Sequence, residues 1–215
     1  MLAAPLPQAF YAANTVHVAR ALLGQLLVRQ WVNPDGAPET WRYRIVETEA
    51  YTQDDPACHA YGKTPAFNGL AATLFKAPGL AYVYFTYGMH YCLNVITEAE
   101  GSAGAVLIRA LEPLDATFPQ QTQGPARLCK ALAIDKQGFN EHPLWEPHRA
   151  LYIAQAPGYN PLSEAVCAAR PPLLLPEDQI VATPRIGISK AQEALWRFCE
   201  VDNRWVSRPV GKGMR

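Results

Sequence analysis

The chain has 215 residues, of which 49% are hydrophobic and 18% are charged, a composition that excludes wholesale disorder. Its 19 basic residues balance 19 acidic ones. This balance excludes a uniformly basic nucleic-acid-binding surface, although a local basic patch remains open. The length is that of one domain, and we expect residues 1–215 to form a single domain that needs no disulfide or metal staple.

Cysteine usage and hydropathy indicate the compartment. The five cysteines are widely spaced and include no CxxC pair, so we predict buried free thiols in a reducing environment. No segment approaches the ~20 apolar residues of a membrane span. The first ten residues lack the basic region of a signal peptide. We therefore expect a cytoplasmic protein (nuclear if eukaryotic) that is neither secreted nor associated with a membrane.

The N-terminal quarter predicts one helix and two strands. Asn14 can cap a helix over Thr15–Leu23, because its side chain can accept from the first free backbone N–H groups. The β-rich runs Gln25–Val32 and Trp41–Tyr51 predict strands. The intervening Asn33–Gly36 is a turn signal, since it contains Pro and Gly.

The middle of the chain predicts a hairpin. Leu80–Thr86 and Met89–Ile96 are aromatic-rich strand candidates on either side of Tyr87 and Gly88, and Ala103–Leu111 predicts a further strand. Tyr-Gly is a poor two-residue turn, because the favoured types place Asn, Asp or Gly first. A large aromatic side chain at the tip either packs on a neighbouring loop or serves as a wedge between stacked bases.

The C-terminal half predicts one helix and two late strands. Gly124 and Pro125 open a helix that ends near Ala133, and residues 135–179 favour loops with short elements. Thr183–Ile188 and Trp196–Val201 predict the late strands. Hairpin-connected strands of this kind indicate an α+β fold: a single domain with a curved, largely antiparallel sheet, flanked by short helices, and a protruding β-hairpin.

Two carboxylates recur within the second predicted strand. Because side chains alternate along a strand, Glu47, Glu49 and Tyr51 share one face, with the two carboxylates roughly 7 Å apart. Such proximity raises the pKa of one carboxyl group, which suits a general base. The alternative is an exposed acidic strand. Arg109 lies in an otherwise apolar strand and needs a carboxylate partner, for which Glu47 or Glu49 is the candidate.

The sequence lacks the motifs of several other kinds of catalytic and binding site. His59 has no HxxxH, HExxH or CxxC companion, so a zinc site is not expected. A lone histidine is more often a structural hydrogen-bonding residue. The sequence contains no phosphate-binding glycine loop, dinucleotide fingerprint or GxSxG elbow. No lysine accompanies the acidic and aromatic clusters, which argues against Schiff-base chemistry. We expect no metal and no cofactor.

Together, these segments resemble the alkyladenine (3-methyladenine) DNA glycosylase family over about residues 6–208. The resemblance is carried, in order along the chain, by RIVETEAY at 44–51, His59 with TP at 64–65, the YVYFTYGM hairpin at 82–89, LIRALEP at 107–113, GPARLCKALAI at 124–134 and TPRIGI at 183–188. The resemblance implies a monofunctional, metal-independent enzyme of base-excision repair. Such an enzyme flips an alkylated or deaminated purine out of double-stranded DNA, hydrolyses its N-glycosidic bond and leaves an abasic site. We expect it to act as a monomer.

The resemblance also implies residue roles. Glu49 would be the general base that activates water for attack at the sugar C1′, and Arg109 would position that water or the carboxylate. A second group of residues would bind the lesion: the side chains that line the pocket and stack on the flipped base are Tyr51, His59 and Tyr84, the pocket floor that disfavours guanine is Asn94, and the intercalating residue is Tyr87. If Tyr84 and Asn94 line one pocket, the hairpin needs a bulge or a turn longer than two residues.

Residues 66–75 depart from the family pattern, since they lack its Arg-Asn pair. This departure leaves open a lesion-binding module that has lost catalysis. A second alternative, independent of this segment, is a hydrolase of nucleosides or other small N-glycosides that uses the same carboxylate. The zero net charge predicts weak and strongly salt-sensitive DNA binding.

Overall fold

The computed structural model describes residues 4–33, 35–86, 88–160 and 169–210. Within these residues, eight strands form one curled antiparallel sheet, a half-barrel with short helices packed on it. The α+β class predicted from the sequence is confirmed. The strands are β1 Leu26–Val32, β2 Pro38–Thr52, β3 Ala81–Thr86, β4 His90–Ile96, β5 Gly104–Pro113, β6 Leu151–Ala154, β7 Ile180–Thr183 and β8 Arg197–Glu200. The helices are α1 Thr15–Ala21, α2 Pro125–Ala131 and α3 Lys136–Phe139, with 3₁₀ helices at Gln8–Ala12, Leu70–Phe75 and Glu177–Gln179.

The long strand β2 organises the sheet. The strand order is β3-β4-β5-β2-β1-β6, and β8 pairs with both β2 and β7. The first half of β2 pairs with β1, and its residues 47–49 pair with β8, while β5 runs along the other edge. The acidic residues of β2 therefore lie in the centre of the sheet, with a strand on each side.

Local sequence signals explain the helix ends. The Asn14 side chain accepts hydrogen bonds from the N–H groups of Val16 and His17, as expected for the cap of α1. The helix ends at Ala21, two residues before the predicted end, and Gly24 follows with φ +84°. Helix α2 begins at Pro125, as predicted.

The β3–β4 hairpin has a three-residue turn. Thr86 pairs with His90 and Tyr84 pairs with Cys92, so residues 87–89 form the connection. Because Tyr82 is opposite Asn94, the side chains of Tyr84 and Asn94 lie on the same face of the sheet. The predicted longer turn is confirmed. The proposed intercalating residue, Tyr87, lies outside the described residues.

The prediction of a strand over Thr183–Ile188 is wrong. Strand β7 ends at Thr183, because Pro184 has no N–H for the ladder and Gly187 adopts φ +78°. The segment that follows is a loop that leads to the candidate site. The later prediction, Trp196–Val201, contains β8 and is confirmed.

Three apolar clusters support the sheet in the described residues. The largest lies between the sheet and helices α1 and α2, and a second, which includes Phe75 and Tyr82, lies at the 3₁₀ helix Leu70–Phe75. The third joins β1 and β6. Cysteines 58, 92, 129 and 199 are buried free thiols, whereas Cys167 lies outside the described residues. The Asn33–Gly36 turn is present, with Gly36 at φ +82°, although Pro34 also lies outside them. In the part of the chain that is described, no helix has the length and apolar character to cross a membrane.

Candidate active site

Strand β2 presents two glutamates to a single arginine of β5. The Arg109 Nε donates to Glu47 at 3.1 Å, and its Nη1 donates to Glu49 at 3.1 Å. The ladder between the two strands is irregular here, because it passes from the pair Glu47–Ala110 to the pair Thr48–Ile108 and skips Arg109. The sequence left open which glutamate would be the partner of Arg109, and the structure shows that both are.

Glu49 is fully buried and accepts hydrogen bonds from three directions. Its Oε1 accepts from the backbone N–H of Ile186 at 2.7 Å. Its Oε2 accepts from the Tyr51 hydroxyl at 2.8 Å as well as from Arg109. All three donors belong to residues that line a cavity, so they hold the carboxylate directly behind the cavity wall.

Glu47 is also fully buried, but its partners are different. Besides Arg109, its Oε1 accepts from the Arg197 Nε at 2.7 Å and from the Ser207 hydroxyl at 2.8 Å. The Ser207 backbone N–H donates to Oε2. Arg197 in turn donates to the Arg208 carbonyl oxygen at 2.8 Å. The segment after β8 is therefore bonded directly to the acidic centre.

The two carboxyl groups differ in acidity. For Glu49, burial raises the pKa, and Arg109 with the two hydrogen bonds from Ile186 and Tyr51 offsets only part of this rise. For Glu47, burial also raises the pKa, but Arg197, the Ser207 N–H and Arg109 together bring it below its ordinary value. The prediction that one pKa of the pair is raised is confirmed. The larger cause is burial, and repulsion between the carboxylates contributes less.

Next to this centre lies a cavity of about 440 Å³, which is within the range of small-molecule sites. Its wall includes Tyr51, His59, Tyr84 and Asn94, and Arg109 reaches it from β5. The structure thus brings together the residues that the sequence analysis assigned to lesion binding, apart from Tyr87. Of the two residues assigned to catalysis, Arg109 lines the cavity and Glu49 lies directly behind the wall.

Aromatic rings dominate one side of the cavity. The rings of His59 and Tyr84 meet edge to face with centroids 4.7 Å apart, and Tyr82 and Tyr84 lie 5.3 Å apart. The Tyr82 hydroxyl bonds the His59 Nδ1 at 2.8 Å, which fixes the ring. Burial lowers the pKa of His59, and Lys63 adds to the effect, so the imidazole is neutral at pH 7.

Asn94 is buried in this wall. Its Nδ2 donates to the Tyr82 carbonyl oxygen at 3.0 Å, which orients the side-chain amide. The neighbouring Cys92 also lines the cavity, and burial raises the pKa of its thiol. This side of the cavity wall is therefore aromatic and uncharged, and Arg109 adds a cationic group beside it.

The loop after β7 supplies groups that sequence reasoning did not identify. The Ile186 N–H binds Glu49, and a backbone donor has no signature in the sequence. Arg185 forms a buried ion pair with Asp55 and lies over the Tyr51 ring, 4.6 Å from its centroid. An arginine preceded by Pro184 was visible in the sequence, but its partner 130 residues away was not.

Lys190 is a further unexpected member of the cavity wall. It is exposed and lines the cavity with residues 186–189. The sequence has no lysine within the acidic and aromatic clusters, and the fold brings Lys190 to the cavity from a distant loop. Among the described residues, no group of three or more His, Cys, Asp or Glu side chains could hold a metal ion.

Comparison with known proteins identifies what the chain is similar to. Residues 9–204 match the family model described as Methylpurine-DNA glycosylase (MPG). Three similar bacterial proteins carry the provisional name 3-methyladenine DNA glycosylase. The protein from Salinibacter ruber is 40% identical, with 94% of this chain and 96% of the relative aligned. Those from Anaeromyxobacter dehalogenans strain 2CP-1 (44% identical; 95% and 86% aligned) and Carboxydothermus hydrogenoformans (41%; 94% and 98%) are similar over comparable lengths.

Proposed function

The chain belongs to the methylpurine-DNA glycosylase family, and on that premise we propose that its cavity binds a damaged purine flipped out of duplex DNA and that Glu49 activates the water which releases it. The chain is a DNA glycosylase of base-excision repair that acts on alkylated purines by hydrolysis. The observation that supports the residue assignment is the position of Glu49, bonded to Arg109 and Tyr51 at the wall of an aromatic cavity.

The cavity wall suits a purine that carries positive charge. Alkylation at a ring nitrogen makes the base cationic, and a cation is attracted to the faces of aromatic rings. Tyr51 and Tyr84 provide such faces, and stacking contributes about 1–3 kcal/mol per base. This gain offsets the few kcal/mol that flipping costs, a cost that is least for mismatched or damaged bases.

For a cationic purine the hydrolysis needs a general base but no general acid. Glu49 takes a proton from water as the water oxygen bonds to C1′. The C1′–N bond breaks, and its electron pair neutralises the departing alkylated purine. A neutral lesion such as hypoxanthine must gain a proton at the leaving base. The transition state resembles an oxocarbenium ion, which the nearby carboxylate stabilises.

Arg109 orients the general base, Glu49, through its 3.1 Å hydrogen bond to Oε2. The raised pKa of Glu49 increases its basicity, which favours proton abstraction near neutral pH. Because Glu49 is fully buried, water reaches it only when a covering contact opens. We assign this opening to the binding of the flipped base in the cavity.

Duplex DNA is recognised by the β3–β4 hairpin in this proposal. Thr86 lines the cavity, and Met89 at the other side of the turn is 70% exposed. Tyr87 lies between them in the sequence, and the resemblance to the family assigns it to the space that the flipped base vacates. We expect one monomer to act on each lesion.

The test compares the wild type with Glu49→Gln, which keeps the side-chain shape but removes the base. Each would be incubated in excess over a labelled duplex that carries one ethenoadenine or hypoxanthine, and over methylated DNA. We expect the variant to lose about 10²–10⁴-fold in the rate of base release while it retains DNA binding. Equal release by both proteins would contradict the role of Glu49. Release of free bases by Tyr87→Ala from nucleosides but not from duplex DNA would support flipping.

A further inference from the structure

Glu47 competes with Glu49 for the same guanidinium. Both bonds from Arg109 are 3.1 Å long, and Nε faces one carboxylate while Nη1 faces the other. Neither Glu47 nor its own partners contribute to the cavity wall among the described residues, apart from Arg109. Its burial and its four hydrogen bonds therefore require an explanation other than substrate contact.

Resting on the proposed function, we propose that Glu47 is a positioning residue, which draws Arg109 partly away from Glu49 so that Glu49 remains an effective base. With Arg109 paired to Glu49 alone, the ion pair would hold the carboxylate in its charged form and weaken its affinity for a proton. With Glu47 present, the single positive charge of Arg109 is divided between two carboxylates.

Arg197 and Ser207 set the strength of this competition. Arg197 shares Oε1 of Glu47 with Arg109, and Ser207 donates to both oxygens. Two arginines and two glutamates thus form a buried group with no net charge. Ser207 lies beyond residues 9–204, the range that matches the family model, so this contact involves a segment outside that range.

Other groups also face the two carboxylates, and all of them except Arg197 are kept in the variants below. Tyr51 belongs to β2 itself. The titratable or charged groups from neighbouring elements are Tyr84 of β3, Cys92 of β4, Arg109 of β5, Arg185 of the loop after β7, and Arg197 and Cys199 of β8. Arg185 is itself paired with Asp55. None of these groups is altered by a change at position 47.

The experiment measures single-turnover base release from an ethenoadenine duplex as a function of pH. Glu47→Gln removes the competing charge, so Arg109 acts on Glu49 alone and the acid limb of the profile moves to lower pH by about one unit. The plateau rate falls about threefold to tenfold, because a weaker base accepts the proton less readily. Glu47→Asp retains the charge and returns the acid limb towards its wild-type position.

Arg197→Met supplies a test of opposite sign. Without Arg197, Glu47 compensates Arg109 more fully, and the acid limb moves to higher pH. Glu112→Gln is the matched control, since Glu112 pairs with Arg44 across the same two strands at a distance from the cavity. We expect the control to keep the wild-type profile.

A purely structural role for Glu47 would lower the rate equally at every pH and leave the acid limb in place, which would overturn the inference. If Glu47→Gln does not fold, ¹³C NMR titration of glutamate carboxyl groups in the wild type decides. We expect Glu49 to titrate along the acid limb while Glu47 stays ionised below it, and the reverse order would refute the proposal. An active Glu49→Gln would instead contradict the proposed function, so the two failures are distinguishable.

Discussion

The hydroxyl of Tyr51 donates a 2.8 Å hydrogen bond to Glu49, its neighbour two residues earlier on the same face of β2. Its ring meanwhile lines the cavity. In the proposed mechanism, one side chain therefore contacts both the space for the damaged base and the group that activates water. The two roles separate in variants that keep the ring and change the hydroxyl.

Tyr51→Phe removes the hydroxyl and keeps the stacking surface. The hydroxyl stabilises the ionised carboxylate, so its loss raises the pKa of Glu49 further. We expect the acid limb of the single-turnover profile to move to higher pH by about one unit, because a hydrogen bond to a charged group contributes about 1.5–3 kcal/mol. Tyr43→Phe, which loses only a bond to the Pro119 carbonyl oxygen, is the control. An unshifted limb would show that the hydroxyl does not act on Glu49.

Asn94→Ala enlarges the cavity where Asn94 is assigned to reject guanine. A single unfavourable contact between a pocket and a substrate changes the discrimination between substrates by about 1–3 kcal/mol. Removal of the Asn94 side chain should therefore raise the release of undamaged guanine at least tenfold. The measurement is base release from a duplex with a single labelled guanosine. Asn140→Ala, which loses a bond to the Val83 N–H on β3, should leave guanine release unchanged. Equal rates in all three proteins would remove Asn94 from specificity.

Lys190 is expected to bind DNA phosphate without forming a covalent intermediate. Lys190→Ala should reduce duplex affinity and lower the slope of log K against log salt by about one, while the single-turnover rate at saturating enzyme stays within about threefold. Borohydride added during turnover should trap no protein–DNA adduct. A trapped adduct that disappears in Lys190→Ala would contradict the hydrolytic mechanism.

The ion pair between Asp55 and Arg185 is expected to contribute to stability. Both side chains are fully buried, and Arg185 also donates to the Ala50 carbonyl oxygen at 2.8 Å. Asp55→Asn leaves that charge without its counterion, so the free energy of unfolding should fall by about 3–5 kcal/mol in urea titrations. The exposed pair Glu146–Arg149 is the comparison, because Glu146→Gln should change the free energy of unfolding by less than about 1 kcal/mol. Similar decreases in the free energy of unfolding for Asp55→Asn and Glu146→Gln would contradict the prediction that an unpaired buried charge is the more destabilising.

The alternation of side chains along a strand made the acidic residues of β2 and their arginine partner predictable. A period of two residues predicts that Glu47, Glu49 and Tyr51 share a face, and a lone arginine in an apolar strand predicts an acidic partner. The hairpin turn length followed from requiring Tyr84 and Asn94 on one face. These features are local, or they follow from pairing between neighbouring strands, so sequence spacing determines them.

The remaining contacts depend on distant segments. Ile186 acts through its backbone N–H, and Ser207 reaches Glu47 across 160 residues, so no spacing rule connects either to β2. The mistaken strand over Thr183–Ile188 has a local cause, since its β-branched residues outweighed Pro184 and Gly187 in the prediction. Those two residues end the ladder and release the loop towards Glu49.

The bond from Ser207 to Glu47 also has a consequence during protein synthesis. At about 5–20 residues per second, a ribosome needs roughly 10–30 s to proceed from β2 to residue 207. For that interval the nascent chain already contains Glu47 and Glu49 but lacks Ser207, and for most of it Arg197 as well. The β3–β4 hairpin is thus translated well before the acidic centre can form, and a chain stalled within this interval would contain the proposed DNA-binding hairpin without the complete set of partners for Glu47.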